Sequence, residues 1–133
     1  MAKTQDRIYI DKKDRKLYDE IEFFKGRSRK EQFLLAMSYG FKNKVHKGID
    51  KQEGFYLVKD MRPEDEALIY SVALSHDGNI DILADKNKMY KIAEEYAKAG
   101  IKLLHDEVVS SEFGSFDLKL ERELNKICDE YKI

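Results

Sequence analysis

Cysteine is nearly absent: Cys128 stands alone, which excludes an internal disulfide and a thiolate cluster for zinc. Proline occurs once, at Pro63, and tryptophan not at all. Pro- or Ser-rich linkers, internal repeats and low-complexity tracts are missing too, so no hard domain boundary is drawn. No apolar run approaches the length a bilayer span needs. The opening MAKTQDR has no hydrophobic segment of a secretion signal, and the expected location is the cytoplasm, with no membrane partner. Neither sign of charge is in excess: 25 Lys and Arg against 26 Asp and Glu leave a net charge of −1. The P-loop, GxGxxG, HExxH and GxSxG patterns are absent. His46, His76 and His105 are scattered, none four residues from another or from a cysteine, so no metal, cofactor or catalytic residue is expected and the chain reads as a non-enzyme.

What is present is the mixture of a soluble globular protein, 42% hydrophobic and 38% charged over 133 residues, enough to bury one core. The charge is unevenly placed. Residues 1–50 hold thirteen Lys or Arg against eight Asp or Glu, a surplus of five positive charges that the rest of the chain reverses. A basic half beside an acidic half suits a chain whose N-terminal part touches phosphate.

The predicted fold is mainly α: a short N-terminal strand, about five helices, and room for one further short strand pair. The domain is single over 1–133, with a βαα unit at 1–41, a basic loop at 42–62 and a helical core at 63–133. Arg7, Tyr9 and Asp11 alternate with Ile8 and Ile10, the two-residue period of a half-buried strand. Leu17, Ile21 and Phe24 then recur at helical steps within a helix from Lys13 to Phe24 that Gly26 ends. Ser28 and Glu31 form a capping-box pattern opening a second helix, with Phe33, Leu34 and Met37 buried and Gly40 closing it in the left-handed conformation.

Met1 to Gln5 reads as a frayed arm. Beyond Gly40, Lys42, Lys44, His46 and Lys47 lie in a long loop, which a short strand at Phe55–Val58 interrupts unless the loop has a function of its own. Pro63 with Glu64, Asp65 and Glu66 suits the first turn of a helix, and these carboxylates are assigned to capping and the helix dipole rather than to catalysis. The following ALIYSVAL is apolar on more than one face and is expected at the centre of the core. His76 to Asn79 is a turn, and Ile80–Leu83 is a strand or an irregular edge. Asp85 caps a long amphipathic helix in which Gly100 marks either a close backbone approach or a bend. Ser110–Ser115 breaks it, and a last helix presents Leu120, Leu124, Ile127, Cys128 and Tyr131 as one stripe. Tyr18, Tyr39 and Tyr70 are expected to cap the core with their hydroxyls wet.

Strand, helix, Gly-x-Ser break and helix over Asp6–Phe41 resemble the ribbon-helix-helix family of dimeric DNA-binding proteins. The resemblance implies a homodimer joined by its paired strands, with Arg7 and Tyr9 facing bases in the major groove of double-stranded DNA and Ser28, Arg29 and Lys30 at a phosphate; Lys3 is placed to reach a phosphate from the arm. Separately, KDRKLYDEI, EQFLLAMSYGFKN, EDEALIYSVAL and IAEEYAKAGIKLL look like a family of small accessory proteins of DNA phosphorothioation (Dnd) systems. This second resemblance implies a setting, other proteins of such a system as partners, and no catalytic residues. Two functions follow: an accessory DNA-binding or regulatory protein, or an adaptor between proteins of the system with no DNA contact.

Overall fold

The computed structural model describes residues 3–110 and 115–131. Its elements run β1 (Arg7–Asp11), α1 (Arg15–Glu20), α2 (Arg29–Lys42), β2 (Gln52–Leu57), α3 (Pro63–Asp77), α4 (Lys86–Ser110) and α5 (Ser115–Tyr131), with single 3₁₀ turns at Lys12–Asp14, Glu22–Phe24, Val58–Asp60 and Ile80–Ala84. The mainly helical class with a short N-terminal strand is as expected.

β1 pairs antiparallel with β2 of its own chain, Arg7 opposite Leu57 and Asp11 opposite Gln52, with an irregularity between Ile8 and Tyr9. The alternation read from the sequence holds for Ile8 and Ile10, which are buried, and for Arg7, which is exposed. Asp11 departs from it: its carboxylate is buried because it has charged and backbone partners inside. Ribbon formation therefore needs no second protomer. The other edge of β1 is covered by α4, one of the ways proteins protect a strand edge.

The centre of the molecule is the crossing of α2 and α4. Every residue from Gln32 to Gly40 is buried, and full burial of Phe33, Leu34, Leu35 and Met37 contributes roughly 1.5–3 kcal/mol each. α3 packs on one side of this pair, burying Leu68, Ile69, Val72 and Ala73 while Ala67 stays exposed and Tyr70 and Leu74 are half-buried. The expectation that α3 is the centre is thus corrected: its apolar residues spread around the helix, but neighbours cover one face.

Gly40 does not close α2, which continues to Lys42. A Cβ on Gly40 would collide with the Tyr96 carbonyl oxygen, and one on Gly100 with that of Ala36 and, at 2.8 Å, with the Gly40 amide. The two glycines are the contact at which the helix backbones meet, so Gly100 marks a close approach. The helix expected over Lys13–Phe24 is broken at Ile21, whose backbone is extended (φ −85°, ψ 117°). Leu17, Ile21 and Phe24 are buried all the same, so tertiary packing overrides the local period without changing which residues go inside.

Other local readings hold. Ser28 Oγ accepts from the Glu31 N–H at 3.1 Å, although the Glu31 carboxylate faces Arg27. Pro63 opens α3, Gly78 takes a left-handed φ of 78° after it, and Asp85 Oδ1 caps α4 through the Lys88 N–H at 3.1 Å. Ile80–Ala84 is a 3₁₀ turn. In α5, Leu124 and Ile127 are buried and Cys128 is half-buried; the break expected after Ser110 and the side chains of Leu120 and Tyr131 lie outside the described residues.

Candidate functional site

α4 carries its apolar stripe against α2, and a second, polar stripe turned toward the start of the chain. Its members, Asn87, Lys91, Glu94, Lys98 and His105, recur at steps of three, four and seven, one face of a helix. All but the exposed Lys91 clasp residues 3–20 in chain order. Asn87 donates to the Lys3 carbonyl at 2.9 Å and accepts from the Gln5 N–H at 2.8 Å, so the arm expected to fray is docked from Lys3 onward. Glu94 Oε2 accepts from the Tyr9 N–H and from Gln5 Nε2, both at 2.9 Å. Lys98 Nζ lies 3.0 Å from Asp11 and 3.3 Å from Asp14, all three buried. His105 meets Glu20.

The two aspartates of this clasp are pulled in different directions. Burial alone would lift Asp11, but the Asp50 N–H, Lys98 and the Lys13 N–H outweigh it and hold the carboxyl below its usual range. At Asp14 burial wins over Lys98, and the carboxyl is raised. Glu94 is buried with no ion pair among the described residues, and burial lifts it to about 7 against the Tyr9 N–H and Gln5. Carboxyls displaced by burial and set in a cleft are where binding and proton chemistry concentrate.

Such a cleft is present. It has a volume of about 580 Å³ and runs between Gln5, the Gly48–Asp50 and Gln52 segment, and Asn87, Lys91, Glu94 and Glu95 of α4. The loop forming one side is held down by the Val45 N–H on the Gly40 carbonyl at 2.9 Å and the Lys47 N–H on the Glu95 carbonyl at 3.2 Å. Its imidazole, His46, lies 2.9 Å from Glu95 and stacks on His76 with ring centroids 4.6 Å apart; His76 Nδ1 is 2.8 Å from the Tyr96 hydroxyl. Two of the three histidines, His46 and His76, are thus brought together, by Gly78 turning α3 back toward α4 and by the loop folding over it. They assemble no metal centre: among the described residues no group of three or more His, Cys, Asp or Glu is placed to hold an ion.

The residues singled out for DNA are divided between two places. Lys3 and Arg7 are exposed, and Tyr9 is half-buried. The Arg7 side chain lies across Gly54 of β2 and 3.5 Å from Asp6. Ser28, Arg29 and Lys30 are at the start of α2, where Arg29 pairs with Asp19 at 2.8 Å, bonds Gln32 and stands over the Phe55 ring, and Lys30 pairs with Asp65 at 2.9 Å. Burial would raise Asp65, but the Arg62 N–H, Lys30 and the Arg62 guanidinium outweigh it and hold the carboxyl down. Of the lysines assigned to the basic loop, Lys42 ends α2 and reaches Glu123 at 2.7 Å, while Lys44 and Lys47 are exposed. Tyr18, expected to keep its hydroxyl wet, is fully buried between Phe24 and Phe55, and that hydroxyl has no hydrogen-bond partner among the described residues.

The run EEYAKAGI, one of the most distinctive stretches of the chain, is the hub of these contacts. Glu94 serves β1, Glu95 the loop, Tyr96 His76, Lys98 the two aspartates, and Gly100 the crossing with α2. The sequence profile of DNA sulphur modification system-associated protein 4 matches residues 7–128. The chain belongs to this family. Membership places it with a DNA sulphur modification system, in an accessory role. No curated protein and no solved structure matches the chain. No helix among the described residues is long and apolar enough to cross a membrane. The cleft itself was not legible in the sequence; its one trace was the polar spacing of Asn87, Lys91, Glu94 and Lys98, which reads equally well as the solvated side of an amphipathic helix.

Proposed function

We propose that the chain is a non-enzymatic adaptor of a DNA sulphur modification system, making its contacts with another protein of that system. The observation that carries this reading is that both cations offered to phosphate at the start of α2 are already matched inside the chain, Arg29 by Asp19 and Lys30 by Asp65, as are the neighbouring Arg27 by Glu31 and Lys25 by Glu22. Affinity for duplex DNA rises with the number of phosphates that free cations neutralise. A paired Arg or Lys must first give up its carboxylate, and the whole chain carries no positive surplus. The test is reconstitution: the purified chain mixed with each purified protein of the system, followed by size-exclusion chromatography with light scattering. A stoichiometric complex with one of them is expected, and migration apart from all of them removes the adaptor.

A second reading, direct DNA contact, draws support from Arg7 and Lys3, which are exposed. A two-stranded ribbon fits the major groove whether its strands come from one chain or two. In this reading Arg7 and Tyr9 face bases, and Ser28, Arg29 and Lys30 sit at a phosphate after exchanging partners, in one protomer or a homodimer. Fluorescence anisotropy with plain and phosphorothioated duplexes at two salt concentrations decides. Arg7→Ala then costs about 1–3 kcal/mol and relaxes specificity, while Arg29→Ala weakens all duplexes alike and lowers the salt slope by about one. An absence of salt-dependent binding to any duplex leaves the adaptor alone.

A further inference from the structure

In the cleft beside α4, each carboxylate but one has a basic side chain against it. Asp50 is 3.1 Å from Lys13, and Glu95 is 2.9 Å from His46. Glu94 is 5% exposed and makes no ion pair among the described residues. Both hydrogen bonds it accepts, from Tyr9 and Gln5, fall on Oε2. Oε1 is left without a hydrogen bond from any described residue, on a side chain that lines the cleft. Gln5, Gln52 and Asn87 supply amide groups around it. A carboxylate held with one oxygen committed and the other open is set up to accept a charged donor.

We propose that this cleft receives one guanidinium or alkylammonium group, the side chain of an arginine or lysine on a partner protein, with Glu94 Oε1 as its anchor. The proposal rests on the adaptor reading for the identity of the occupant and on the cleft alone for its chemistry. A volume of about 580 Å³ lies within the range of small-ligand clefts and accommodates one long side chain. An anion is disfavoured there, because Glu94, Glu95 and Asp50 face it against the single cation Lys91. A cation entering the site replaces the missing counter-charge of a buried carboxylate, which is worth more there than at an exposed pair.

Binding should depend on pH through Glu94. The charged and titratable groups around it are Lys91 and Glu95 of α4, Asp50 of the loop and Tyr56 of β2, with the Tyr9 N–H and Gln5 as its hydrogen-bond donors. Burial lifts Glu94 to about 7, so it is mostly ionised at pH 8 and mostly neutral at pH 6. Affinity for a cation is therefore expected to fall about tenfold from pH 8 to pH 6.

The experiment is an NMR titration of the full chain with agmatine and with a capped arginine amide, following the side-chain amides of Gln5, Gln52 and Asn87. Saturable shifts with both probes at pH 8, weaker by about tenfold at pH 6 and lost in Glu94→Gln, are expected. Lys91→Glu, an exposed change that leaves the fold intact, should tighten binding at least threefold and keeps the test open if Glu94→Gln does not fold. No saturable shift, an affinity that rises toward pH 6, or an unchanged affinity in Lys91→Glu overturns the receptor. Agmatine bound with the capped residue refused overturns the protein side chain as the source and assigns the cleft to a free amine. Because the probes report on the cleft alone, a chain that binds them yet forms no complex on reconstitution loses the adaptor and keeps the site.

Discussion

At Glu94, burial favours the neutral acid while two donors favour the anion, and burial wins. The folded chain holds a proton there up to about pH 7, whereas the unfolded chain releases it near 4.5. A group raised in this way contributes stability that is fully present below about 4.5 and is lost as pH rises through about 7. Glu94→Gln keeps an acceptor for Tyr9 and removes the titration, so its stability relative to the native chain should improve between pH 5 and pH 8 by on the order of 2 kcal/mol. Urea unfolding of both proteins at the two pH values measures this, and a difference that does not change with pH contradicts it. Tyr18 presents the opposite case, a buried hydroxyl with no partner among the described residues. Its desolvation is uncompensated, so Tyr18→Phe should leave stability unchanged or raise it by about 1 kcal/mol; a loss in thermal unfolding would reveal a bond that the hydroxyl makes. Neither residue announces itself in the chain, since a glutamate beside a second glutamate and a tyrosine beside a leucine look ordinary until burial is known.

Among the elements, the α2–α4 crossing and the α4–β1 clasp hold the fold in different ways. Gly40 and Gly100 let two backbones touch, and a methyl at Gly100 has nowhere to go without separating the helices. Gly100→Ala should cost about 3 kcal/mol or more, as overpacking at rigid backbone does, despite the better helix propensity of alanine. Gly78→Ala meets no atom and strains only a left-handed φ of 78°, so about 1 kcal/mol is expected there. Thermal denaturation of the two variants side by side tests the ordering. The clasp is ionic: Lys98→Met leaves Asp11 and Asp14 buried without their cation and should cost about 3–5 kcal/mol, whereas the same change combined with Asp11→Asn and Asp14→Asn recovers much of it. Equal loss in the single and the triple variant, by urea titration, would contradict an electrostatic origin. Gly100 could be read in advance as a close approach or a bend, because glycine inside a good helix calls for one or the other. The clasp could not, because its partners are about eighty residues apart.

For the molecule as a whole, one core joins β1, β2, α1–α4 and the Leu124 and Ile127 face of α5. Calorimetry should therefore show a single unfolding transition with equal calorimetric and van't Hoff enthalpies; two resolved transitions would divide the chain. Several properties followed from residue order alone. Helices, caps and the alternation of β1 are set by side-chain period and by short-range hydrogen bonds, as at Ser28, Pro63 and Asp85, and those interactions span only a few residues. The accessory setting came from resemblance instead, carried by runs such as EEYAKAGI. Tertiary structure alone decided what β1 pairs with, which cations are free and where a cleft opens. A strand signature specifies an edge that needs a partner but not whose strand supplies it, and a lysine's charge says nothing of the carboxylate that waits across the fold. Those choices depend on contacts between distant residues, and only the packed chain makes them.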